Sequence, residues 1–114
     1  MSGLAERNLG YISQNVNRIA VILKVMGNDK RLAVLCDLAT HGERSVGQLE
    51  ITSGLSQSAL SQHLAKMRQH GIVKTRRAAQ TIYYSLASQE ASLLLDTLHD
   101  MLAPNDRRQA EAGE

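Results

Sequence analysis

A chain of 114 residues suits one ordinary domain and leaves no room for two, and its 43% hydrophobic fraction excludes wholesale disorder. No apolar run approaches the ~20 residues that cross a bilayer, and no basic cluster leads into an apolar stretch at the N-terminus, so no membrane span or secretory signal is expected and the cytoplasm is the expected compartment. The single cysteine excludes an intrachain disulfide and a Cys-rich zinc module.

The net charge of +2 hides an uneven distribution. Residues 41–86 carry six basic and two acidic side chains, whereas residues 87–114 carry two basic and six acidic ones. A basic middle third is either a solvated surface or a face turned to a polyanion.

In chain order, Ile12, Val16, Ile19, Ala20, Leu23 and Met26 recur at helical spacing, and Gly27-Asn28 breaks the run. A second helix carries Leu32, Leu35 and Leu38, with Val34 and Cys36 beside them, and ends near Thr40-His41-Gly42. Ser45 is a plausible N-cap for a short third helix containing Val46 and Leu49, closed by Ser53-Gly54. Ser56 caps a fourth helix, with Ala59 or Leu60, then Leu64 and Met67 facing inward, and His70-Gly71 stopping it. The period then changes: 72–76 and 81–86 are β-rich and separated by Ala78-Ala79-Gln80, which predicts a hairpin. A last helix runs from about Ser88, with Ala91, Leu94, Leu95, Leu98, Met101 and Leu102 on one stripe, to Pro104. Residues 1–10 and 104–114 are expected to be a flexible N-terminus and a mobile tail, with the domain spanning 11–103.

This order predicts a mainly α fold with a small β-hairpin, helices and strands following as α-α-α-α-β-β-α. The two helices within 45–71, joined by a tight Gly-containing turn, form a helix-turn-helix pattern, and the hairpin directly after it is the place of a wing. On the fourth helix Gln57, Ser58, Ser61 and Gln62 share one polar, uncharged face near the N-terminal end. Gln pairs bidentately with adenine, and Ser serves base edges or phosphates, so these four are the candidate base readers. Ser56, His63, Lys66, Arg76, Arg77 and Gln80 are the candidate phosphate or minor-groove contacts, aided by the positive end of the helix. The competing readings are a solvated helix face and a strand edge protected by charge.

The run from Gly54 to Leu64 contains Ser56-x-Ser58-x-x-Ser61-x-His63-Leu64, and Arg76-x-x-x-Gln80-x-x-Tyr83-Tyr84 follows it. Together they resemble the ArsR/SmtB family of winged helix-turn-helix repressors over roughly residues 12–103, closest to the branch of nodulation regulators and biofilm-growth-associated repressors. The resemblance implies a homodimer formed through the first and last helices, repression by operator occupancy, and release by an effector. The wide apolar stripes of those two helices support the dimer independently, because so small a domain has too little interior to bury both. Two-fold symmetry would set two recognition helices about 34 Å apart on double-stranded DNA carrying a pseudo-palindromic operator.

The chain departs from the family's sensor patterns. Ser45 and Gly47 stand where arsenic and cadmium sensors carry Cys-x-Cys, which leaves no thiolate for a soft metal. Asp96 and His99 share a helix face, but no second histidine follows, so a surface role is expected and no metal site is assigned. Cys36 matches the first cysteine of the dithiol sensors, while Ala103 stands in place of the second; a buried structural thiol is the expectation. The histidines have no nucleophile or paired carboxylate at a catalytic spacing, and the glycines form no phosphate loop. Neither an enzyme nor a cofactor is expected. The expected function is a sequence-specific dimeric regulator of transcription, foremost a repressor. The alternatives are a redox- or metal-responsive sensor using Cys36 or Asp96/His99, and a winged helix that binds a protein in place of DNA.

Overall fold

A computed structural model of the chain describes residues 9–103. The termini expected to be flexible fall almost wholly outside the described residues. The elements are α1 (Gly10–Gln14), α2 (Val16–Met26), α3 (Asp29–His41), β1 (Glu43–Ser45), α4 (Val46–Ser53), α5 (Gln57–Gln69), β2 (Val73–Ala78), β3 (Thr81–Leu86) and α6 (Gln89–Leu102).

Four of the helix starts have a side-chain acceptor, whereas Asn15 before α2 makes no cap hydrogen bond. Asn28 Oδ1 accepts from the N–H groups of Lys30 and Arg31 at 3.0 and 3.1 Å, opening α3. Ser45 and Gln48 form a reciprocal capping box at α4, with Gln48 N–H donating to Ser45 Oγ at 3.2 Å and Ser45 N–H to Gln48 Oε1 at 2.9 Å. Ser56 and Ser88 cap α5 and α6 through the N–H groups of Ala59 and Ala91. Gly54 ends α4 with φ +68°, a left-handed conformation that glycine adopts without Cβ strain, and so makes the tight turn into α5.

The core lies where α2, α3, α4, α5 and the sheet meet. Leu35, Leu49, Leu60 and Met67 are fully buried there, with Leu38, Val25 and Ile72 beside them. The outward stripe of the first helical region behaves differently. Ile12, Val16 and Leu23 are 51–53% exposed, and the inward side of α2 is instead Ile22, Val25 and Met26. Along α6, Ala91 and Leu95 are buried, whereas Leu93, Leu98, Met101 and Leu102 are exposed. Arg18 donates to Glu90 at 3.0 Å, tying α2 to α6 on the rim of these apolar faces.

Three features depart from expectation. The first helix is interrupted at Asn15, whose Nδ2 donates to the Tyr11 carbonyl at 2.7 Å. The hairpin is part of a three-stranded antiparallel sheet, ordered β1-β3-β2, with Glu43 opposite Ser85 and Ser45 opposite Tyr83. Finally, Cys36 is exposed, contrary to the expected burial. Val34, Leu35 and Leu38 turn inward, and a helical rotation of about 100° per residue carries Cys36 away from them.

Candidate nucleic-acid interface

Helices α4 and α5 present the second of them to solvent along its N-terminal half. Leu60, Leu64 and Met67 anchor α5 to the core, which fixes the rotation of the helix about its axis. Gln57, Ser58, Ser61 and Gln62 are consequently all exposed, and none makes a side-chain hydrogen bond among the described residues. Their amide and hydroxyl groups are therefore open to an outside partner. The Ser56 hydroxyl already accepts from Ala59 N–H at 3.1 Å, and the helix itself has no acceptor for the N–H groups of Gln57 and Ser58. An anion or a polar edge placed at this end meets free donors and the positive end of the helix dipole.

His63 is half-buried, and its Nδ1 lies 3.5 Å from Arg31 Nη1. Arg31 in turn donates from Nε to the Val25 carbonyl at 2.6 Å, so His63 faces the joint between α2 and α3. Lys66 is exposed on α5. A groove between α5 and the sheet is lined by Ser61, Ala65, Arg68, Gln69 and Tyr84. Arg68 is a basic group the sequence pattern did not single out; its spacing of seven from Ser61 places it on the same stripe, which was the available signal.

The sheet divides the remaining cations between its two faces, and the face of Tyr84 is the one that borders α5. By strand alternation, Lys74 and Arg76 share one face of the sheet with Glu43, Tyr83 and Ser85, while Arg77 lies on the opposite face. Arg77 and Gln80 are exposed, the latter beside Ala79 at the tip, where φ is +56°. Arg76 is engaged: its Nε and Nη2 donate to Glu43 at 3.0 and 2.7 Å, and its guanidinium carbon lies 4.6 Å from the centroid of the Tyr83 ring. The hydrogen bonds from Arg76, opposed by slight desolvation and aided by the charges of Arg76 and Lys74, hold the Glu43 carboxyl below its ordinary value. The same pairing raises Arg76.

Behind the site, Asp37 on α3 accepts from Thr52 Oγ1 on α4, from Arg44 Nε on β1 and from His41 Nδ1. On the far side of α3 a groove of about 490 Å³ runs against α6, lined among others by Leu32, Cys36, Leu95, His99 and Ala103. Asp96 also borders it. His99 is mostly exposed, with Nδ1 3.6 Å from Asp100, and no group of three or more metal-ligating side chains occurs among the described residues.

Residues 28–75, from the start of α3 into β2, match the family described as bacterial regulatory protein, arsR family. The chain is 46% identical over 95 residues to the transcriptional activator HlyU of Vibrio cholerae, covering 83% of this chain and 87% of that protein. It is 50% identical over 82 residues to the nodulation protein NolR of Rhizobium meliloti, covering 72% and 66% respectively. The crystal structure of the transcriptional repressor BigR from Xylella fastidiosa superposes with a TM-score of 0.77 at 36% identity, over 83% of this chain and 96% of that one. The helix-turn-helix, the wing and these likenesses agree: the chain belongs to the ArsR family of winged helix-turn-helix, DNA-binding transcriptional regulators.

Proposed function

We propose that the protein is a homodimer that occupies a pseudo-palindromic operator in double-stranded DNA and represses transcription from it. Residues 11–103 act as the DNA-binding and dimerisation domain, in the cytoplasm, without catalysis or a cofactor. The observation that carries the reading is the exposed, unpaired set Gln57, Ser58, Ser61 and Gln62 at the N-terminal end of α5. These side chains read base edges in the major groove. Ser56, His63 and Lys66 hold the helix against the backbone, and Arg76, Arg77 and Gln80 extend the contact along the wing. Arg68 adds a cation beside the groove between α5 and the sheet. The exposed apolar faces of α1, α2 and α6 supply the dimer contact.

HlyU of Vibrio cholerae is named an activator and BigR of Xylella fastidiosa a repressor, so the direction of regulation needs its own test. The test is anisotropy of labelled DNA from upstream of the protein's own gene, with competitor duplex and a salt series, followed by transcription from that promoter in vitro. Competitor-resistant binding, a steep salt slope and reduced transcript are expected. Binding no tighter than to competitor would refute an operator at that site, and increased transcript would refute repression.

A second reading is favoured by the exposure of Cys36 in the groove against α6, close to Asp96 and His99. In it, a thiol oxidant or Zn²⁺ lowers operator affinity. Unchanged affinity after both treatments would dismiss it.

A further inference from the structure

Among the cations assigned to the wing, Arg76 alone is held by a carboxylate among the described residues. Glu43 offers it two oxygens in the fork arrangement that a guanidinium also makes with a phosphate. The pair spans the sheet from β1 to β2 across β3, and both side chains remain open to water, at 56% and 38% exposure. An ion pair this exposed contributes little to stability and exchanges partners readily. Tyr83 lies under the guanidinium and supports it independently of Glu43, so loss of the carboxylate leaves Arg76 in place. Lys74 stands directly across Ser85 from Glu43, so the carboxylate also weakens the field of a second cation.

We propose that Glu43 is an affinity-setting residue of the DNA interface: its carboxylate occupies the place of a backbone phosphate on Arg76, and the duplex must displace it before the wing engages fully. This rests on the reading of the wing as a DNA contact. Glu43 thereby holds the sequence-independent part of binding down, on operator and bulk DNA alike, while leaving base reading by α5 untouched.

The test measures binding of a mixed-sequence duplex across a salt series by wild type, Glu43→Gln, Arg76→Ala and the double variant, with circular dichroism to verify folding. Glu43→Gln removes the charge, keeps the shape and should tighten binding about fivefold, with a log–log salt slope steeper by about one. On the Arg76→Ala background the same change should have no effect on slope. Weaker or unchanged binding by Glu43→Gln overturns the proposal, as does an equal gain on both backgrounds, which would make Glu43 a general repulsive charge. A wild type whose binding does not respond to salt would instead refute the wing as a DNA contact, and the role of Glu43 with it.

Discussion

The Thr52 hydroxyl donates to Asp37 at 2.6 Å, across fifteen residues of sequence, and so bolts α4 to α3. The same carboxylate takes Arg44 Nε at 3.1 Å and His41 Nδ1 at 2.8 Å, and only 12% of its side chain is exposed. Burial alone would push the Asp37 carboxyl up. The hydrogen bonds from Thr52, Arg44 and His41, with the charge of Arg44, outweigh it and leave the group below its ordinary value of 3.8.

Asp37→Asn should therefore destabilise the fold at neutral pH by about 1.5–3 kcal/mol, the range for hydrogen bonds to a charged group. Because the folded carboxyl binds its proton less tightly than the unfolded one, its contribution is complete above 3.8 and disappears as pH falls through the folded value. Urea titrations should show the gap between wild type and variant closing in acid. A gap that is constant with pH would refute the assigned role.

Gln57→Ala and Gln62→Ala should each cost about 1–3 kcal/mol on the cognate operator and relax preference at one base pair. Affinity for mixed-sequence DNA should stay unchanged. Site selection from a random library reads both effects, and an unaltered consensus would remove the residue from the set of base readers.

Arg77 has no acidic partner among the described residues, so Arg77→Ala should weaken operator and competitor alike and flatten the salt slope by about one. Loss confined to the operator would mean that Arg77 reads a base.

Leu98→Glu combined with Met101→Glu places two charges on the exposed stripe of α6. Sedimentation should show a monomer of native helicity, and operator affinity should fall at least tenfold because the two recognition helices lose their fixed spacing. A dimer that survives both changes would exclude this stripe from the subunit contact.

Gly54→Ala forces a Cβ into a left-handed turn at φ +68° and should lower stability by about 1 kcal/mol, although the space around it is open. Gly54→Asn should cost less, since Asn tolerates that conformation. Equal stability of all three proteins in thermal unfolding would contradict the argument.

Much of this architecture is legible in the residues, because caps and apolar spacing are local signals. Ser45, Ser56 and Ser88 mark helix starts correctly, and the change of period after Gly71 marks the hairpin. What escapes is non-local. Three residues, Glu43 to Ser45, have no strand signature of their own and become β1 only because β3 offers an unpaired edge. The pairing of Arg76 with Glu43 follows from that hidden strand, so a site read from motifs shows a free arginine where the fold supplies a partner. Cys36 misleads for another reason: apolar neighbours in sequence imply a shared environment only when they also share a helix face.

Ser45 ends β1 and caps α4 at once, so no slack chain separates strand from helix. With β1 hydrogen-bonded to β3, the wing and the helix-turn-helix share one junction residue. A substitution at Ser45 that spoiled the cap would therefore loosen the start of α4 and the edge of the sheet together, so helix and strand stability rise and fall as one quantity at this point.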